Sequence, residues 1–157
     1  MDKTNHYEQI VKRINESLPL HSMWDGFWVH YFKAKTLIIS ASFDMIYYRD
    51  YDLIFKKVIF FNVPERWRDT DISGEELVRL STEEEFAQHH PGFSTQNHFI
   101  FAIDIHFARN NNVTKYTFFI VAKYIYLVKC EGADSKPDAF YTEKYNDEMF
   151  PCIKNRV

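Results

Sequence analysis

The sequence predicts an α+β fold, an N-terminal helix packed on a largely antiparallel sheet of five to six strands with a short helical insertion. Three observations lead there. Apolar residues recur with a helical period near the start of the chain and with a period of two through most of the remainder. The alternating runs are joined by short turn signals, too brief for the helical crossovers of a parallel sheet. The composition is rich in bulky β-formers, with fifteen Phe, ten Tyr and three Trp against only four Gly. A β-sandwich with a terminal helix is the alternative arrangement of the same elements.

Between Lys3 and Leu18, the residues Tyr7, Ile10, Val11, Ile14 and Leu18 line one side of a helix. Thr4 is placed to cap it and Pro19 to stop it. The period then changes to two. Phe27 to Phe32 reads as a strand, Lys33-Ala34-Lys35 as a turn and Thr36 to Phe43 as a second strand. Leu53 to Val63 reads as a longer third strand, apolar on both sides toward its end and so central in the sheet. Ser73 with Glu76 is a capping-box signature for a short helix through Leu77, Val78 and Leu80, which Ser81 to Phe86 extends or restarts. Phe99 to Phe107 carries the cleanest alternation: Phe99, Phe101, Ile103, Ile105 and Phe107 form one row, predicted to face the first helix. Asn110-Asn111-Asn112 turns the chain, because asparagine tolerates positive φ. Thr114 to Ala122 returns antiparallel, and Tyr124 to Cys130 continues it as a bent strand or follows as a further one. The tail reads as loop with a weak helix over Glu143 to Phe150.

A chain of 157 residues with no internal linker or repeat is expected to form a single domain, 1–157. Its net charge of −3 disfavours a nucleic-acid partner, and charges such as Lys56, Lys57, Lys123 and Lys129 interrupt every stretch that approaches a membrane span. The start, Met1 to His6, is polar and lacks the apolar core of a secretory signal, so cytoplasmic residence is expected. Cys130 and Cys152 have no metal-site or redox-motif spacing and read as ordinary thiols.

Catalytic signatures fail one by one. Gly26, Gly74, Gly92 and Gly132 are too scattered for a phosphate loop or dinucleotide fingerprint, and no Gly-x-Ser-x-Gly elbow occurs. No catalytic residue, cofactor or metal is therefore expected. The sharpest remaining cluster is Asp104 with His106, two apart on one strand, joined by His30 if its strand lies alongside. That inventory fits a two-histidine, one-carboxylate metal or ligand site, and it is the alternative functional reading; a solvated polar sheet face is the plainer one. Adjacent His89 and His90 point apart and read as a helix end.

Large rings flanked by acids, in the segments around Trp24, Asp25, Tyr48, Asp52, Trp67 and Asp69, are the material of a protein-binding surface. Those six residues are the expected partner contacts, with Trp67 the leading anchor. Trp67 folded back over the sheet edge is the competing expectation.

In order and texture, the span Leu20 to Val128 resembles the small α+β family called immunity protein 50, from bacterial polymorphic-toxin systems. The likeness runs through an aromatic-acid opening at Trp24-Asp25, a strand pair, an apolar strand ending Phe60-Phe61-Asn62-Val63, a variable loop region and a closing strand Phe118 to Ala122. Where the family more often has a Phe-His-Asp-like opening, this chain has Met23-Trp24-Asp25. The resemblance implies a non-catalytic protein that binds a cognate toxin and neutralises it by occlusion.

Overall fold

The computed structural model describes residues 3–18, 20, 26–42 and 50–129. The first helix, α1 (Lys3–Ser17), buries the stripe its period predicted: Tyr7, Ile10, Val11, Ile14 and the following Leu18 all enter the core. Strands β1 (Gly26–Lys33) and β2 (Thr36–Ser42) form a hairpin whose two turn residues, Ala34 and Lys35, both have positive φ, as a tight turn matched to strand twist requires. Then follow β3 (Tyr51–Lys56), β4 (Phe60–Phe61), β5 (Arg66–Trp67), a 3-10 turn at Asp69–Asp71, β6 (Arg79–Ser81), α2 (Glu83–His89), β7 (Phe99–Arg109), β8 (Asn112–Ala122) and β9 (Tyr124–Lys129). All strand pairs are antiparallel, and the α+β class stands.

The strands divide between two sheets instead of filling one. Five run in the order β5-β1-β2-β3-β9 and four in the order β4-β8-β7-β6. The reason lies at two matched breaks. The expected third strand, 53–63, is interrupted at Lys57, whose φ of 55° leaves the β region, and β3 and β4 pair with β9 and β8 respectively. Lys123 breaks the partner strand opposite: its amide donates to the Lys56 carbonyl at 3.1 Å, while the Ile59 amide donates to the Val121 carbonyl at 2.9 Å. Both members of the pair therefore change sheet together, and no main-chain ladder is abandoned at the corner.

One core joins the layers. Leu37, Ile39, Leu53 and Phe55 come from the five-stranded sheet, and Phe101, Ile103, Ile105 and Ile120 from the four-stranded sheet. Phe55 meets Phe101 edge-on at 5.4 Å. The predicted row of β7 does face α1, where Tyr7 stacks on Phe99 at 3.8 Å. The Tyr7 hydroxyl donates to the Lys123 carbonyl at 2.8 Å; burial first, and then the nearby Tyr124 and Tyr126, push its pKa up to about 12.

Two further departures have local causes. The capping box at Ser73 and Glu76 starts no helix, because Asn15 of α1 occupies the main chain that a helix would use. Its side chain donates to the Val78 carbonyl at 2.6 Å and accepts from the Leu77 and Val78 amides at 3.0 and 3.2 Å. Leu77 and Val78 are thereby held buried and outside any helix, and the helix begins later, at Thr82, whose hydroxyl accepts from the Glu85 amide at 3.1 Å. The polar interval 64–71 contains an unforeseen strand, β5, whose Trp67 pairs with Phe27. Gly26 permits this approach: with φ of +85°, a Cβ there would overlap the Trp67 carbonyl oxygen and lie 2.7 Å from Arg68 Cα. Pro19, the segments around Trp24 and Tyr48, the Thr4 side chain, both cysteines and the tail helix of the sequence reading lie outside the described residues or side chains.

Candidate functional site

The outer face of the four-stranded sheet carries the most developed polar cluster. Register places Arg79 of β6 opposite Ala102 and Ser81 opposite Ile100, so β6 runs beside the base of β7. Arg79 then reaches two acids at once. Its Nε donates to Asp104 Oδ2 at 2.7 Å and its Nη2 to Asp104 Oδ1 at 3.3 Å, while Nη1 and Nη2 donate to the Glu85 carboxylate at 2.9 and 2.6 Å. Ser81 donates to Glu85 Oε2 at 2.6 Å, and Thr117 of β8 donates to Asp104 Oδ1 at 2.7 Å. Lys115 Nζ stands 3.7 Å from the same oxygen.

Charge-assisted bonds set the ionisation here. Burial works to raise the Asp104 pKa, yet the hydrogen bonds from Arg79 and Thr117 together with the charges of Arg79 and Lys115 hold it below the usual carboxylate range. Glu85 is lowered chiefly by its hydrogen bonds from Arg79, and Arg79 is raised by both acids, Glu85 first. The group stays charged and internally balanced. A cleft of about 390 Å³ opens beside it, lined by Ser73, Gly74, Glu76, Leu77, Arg79 and Asp104. Its cation and its buried carboxylate are already committed to each other, so the cluster acts as a clamp that ties β6 and α2 to the base of the β7–β8 pair.

The metal constellation of the alternative reading does not assemble. Asp104 and His106 do share one face of β7, but β1, which carries His30, pairs with β2 and β5 in the other sheet. His30 marks a bulge, the register stepping from Val29↔Ile39 to Tyr31↔Ile38. Among the described residues, no three His, Cys, Asp or Glu side chains gather to hold a metal ion. The plainer expectation, a solvated polar face, fails for Asp104 as well, since that residue is buried in the clamp. The side of the sheet opposite the Phe99–Phe107 row is not open along its base, where Phe86 of α2 covers Ile100, Ala102, Phe119 and Val121.

Three of the six expected partner contacts are buried. Asp52, Trp67 and Asp69 are only 0, 2 and 4 % exposed. Asp52 accepts from Ser40 across the β2–β3 pair at 2.5 Å, and Trp67 stacks on Phe27 at 5.6 Å. Trp67 is the folded-back tryptophan, not a surface anchor, because pairing of β5 with β1 turns its ring into the core. Trp24, Asp25 and Tyr48 lie outside the described residues.

What sequence reasoning missed is the far half of the β7–β8 pair. Eleven residues on each strand are in register, from Phe99↔Ala122 to Arg109↔Asn112. β6 accompanies β7 only to Ala102, with one isolated bridge from Ile72 to Ile105, and β4 accompanies β8 only from Ile120 onward. Past these points the pair runs on as a two-stranded ribbon to a turn at Asn110-Asn111, whose φ values of 50° and 64° fulfil the asparagine prediction. Val113 is 66 % exposed and Tyr116 49 %, with Phe107 packed edge-on to Tyr116 at 5.7 Å. The signal was present in the sequence: from Ile105 to Phe118 no acid occurs, although the chain as a whole is negative.

Comparison with protein-family models, with curated proteins and with solved structures finds no match to this chain. No described helix is long and apolar enough to cross a membrane.

Proposed function

We propose that this chain is a non-catalytic protein-binding module that acts by covering part of its partner, in the manner of an immunity protein occluding a toxin. The observation that carries the reading is the division of labour on the four-stranded sheet. The charged groups at its base are consumed in pairing with one another, while apolar and aromatic side chains are presented on the ribbon beyond. Rings and aliphatic groups standing out on a braced scaffold are what a protein interface needs for anchoring. The resemblance of the span Leu20 to Val128 to immunity protein 50 supports the toxin as the kind of partner, and a cytoplasmic site of action accords with that role.

The test is affinity capture with the full chain from cells of its source, followed by reconstitution with the purified captured protein. The expected result is a stoichiometric complex in which the captured protein's toxic activity is suppressed as the chain approaches equimolar amounts. Failure to form any stoichiometric complex rejects the binding reading, and a complex without suppression rejects occlusion of a toxin.

A further inference from the structure

We infer that the outer edge of β8, from Val113 to Thr117, is a strand-addition site for an extended acidic segment of a partner protein; this rests on the binding reading above and gives it a place and a polarity.

The main chain supplies the first argument. Phe119 turns both its polar groups outward from the pair: its amide donates to Asn62 Oδ1 at 2.7 Å and its carbonyl accepts from the Asn62 amide at 3.1 Å. The Val121 carbonyl, two residues on, likewise faces outward to the Ile59 amide. With unbroken register along β8, the period of two carries the same orientation back to Thr117, Lys115 and Val113. At these three residues the neighbouring strand has ended, since β4 reaches only Ile120. Among the described residues their amides and carbonyls form an unused ladder edge, in the geometry that an added strand takes up.

The side chains supply the second. Val113 and Tyr116 stand beside this edge as large exposed apolar groups. Arg109 and the half-exposed Lys115 are the charged side chains of the ribbon, Lys115 standing also 3.7 Å from Asp104 at its root, and no acidic residue lies between Ile105 and Phe118. An acidic strand laid along the edge gains the ladder, the apolar contacts and the charge together.

Charge also chooses among occupants. A second copy would bring two basic, acid-free edges side by side, and lysine on an exposed edge is how native sheets discourage such self-pairing. A nucleic acid needs several phosphate-neutralising cations, whereas the ribbon offers Arg109 and Lys115 on a chain of net charge −3.

The experiment uses the full isotope-labelled chain and, as probe, a capped peptide of alternating Glu and Val. Binding is expected to shift the backbone resonances of Val113, Lys115 and Thr117 and to slow amide exchange there. Val113→Pro removes an outward donor without removing a bond to β7, and is expected to weaken binding about tenfold or more with an unchanged urea midpoint. If that variant does not fold, Arg109→Gln combined with Lys115→Gln serves instead and is expected to weaken binding by a similar factor. Equal binding of a Lys-Val peptide overturns the charge argument, and protection confined to other residues overturns the edge. Tighter binding of an oligothymidine at the same residues assigns the ribbon to nucleic acid, and self-association abolished by Val113→Pro assigns it to a second copy; either overturns the proposal. Retention of the captured protein by Val113→Pro with undiminished affinity rejects the edge and leaves the binding reading intact.

Discussion

The near and far halves of the β7–β8 pair share a register and the same alternation, yet one half is core and the other is surface. From Phe99 to Ile105 the inner row meets α1 and the opposite sheet, and α2 covers much of the outer row. From His106 onward the same period continues with nothing packed against it that keeps Val113 or Tyr116 from solvent. A period of two therefore encodes which side chains share a face; depth is decided by what the rest of the chain brings to that face.

Mutations should separate the halves. Phe101→Ala removes a fully buried ring at the meeting point of the two sheets and is expected to cost about 3–5 kcal/mol, whereas Tyr116→Ala on the ribbon should stay within about 0.5–1 kcal/mol. Urea denaturation of both variants beside the parent measures the contrast, and equal losses would mean that the ribbon is as firmly packed as the core. Asn15→Ala leaves three buried main-chain groups at Leu77 and Val78 without their partner, for an expected loss of about 2–4 kcal/mol. Hydrogen exchange should show that loss as faster opening of 77–81 before any change appears on the ribbon.

The clamp between the halves is the next target. Arg79→Met strips a partly buried pair of carboxylates of their cation and is expected to cost about 1–3 kcal/mol, reduced from the figure for a fully buried pair because roughly a third of Arg79 and of Glu85 meets water. The same clamp predicts an acid limb. Asp104 and Glu85 titrate below their ordinary values in the folded chain, so their stabilisation is present at neutral pH and is lost as pH falls from the usual carboxylate range through the folded values. Urea midpoints measured from pH 6 downward should fall less steeply in Arg79→Met than in the parent; an identical slope would remove the clamp as its source.

The smallest expected effect belongs to His90, at the end of α2. Its ring packs on Phe60 at 4.7 Å and Phe86 at 5.0 Å, with Nε2 3.3 Å from Asn62 Nδ2. Burial, and then the neighbouring His89, lowers its pKa. The folded chain thus resists protonation more than the unfolded one, and stability should decline as pH drops below the ordinary histidine range. His90→Gln should flatten that decline. Preserved pH dependence in the variant would place the titration elsewhere.

What the sequence made legible follows from local chemistry. The stripe of α1, the row of β7 and the turn at Asn110-Asn111 are all written in period and residue type, and all three stand in the structure. The breaks at Lys57 and Lys123 are not, because lysine carries no turn preference and each break is set by a partner strand distant in sequence. Ser73 and Glu76 form a sound local helix signal that a single distant side chain, Asn15, overrides. Trp67 was ambiguous for a related reason: its polar neighbours describe a loop, and only the pairing with Phe27 fixes where the ring goes. The clamp was half visible. Asp104 stood out on an apolar strand, but no spacing rule points from it to Arg79.

The shared corner at Lys57 and Lys123 also bears on the order in which the molecule can assemble. β7 and β8 are joined by a tight turn and can zip up as soon as both have left the ribosome, a local closure on the microsecond scale of hairpins. β3 can pair with β2 on one side at once, but its other side must wait, since Lys56 and Leu53 find their second partners, Tyr124 and Leu127, only long afterwards. Until then β3 offers an open side next to the β1–β2 hairpin, and the five-stranded sheet is finished from the far end of the described chain. Docking β9 onto β3 is a long-range closure, and its entropic cost grows with the loop it spans.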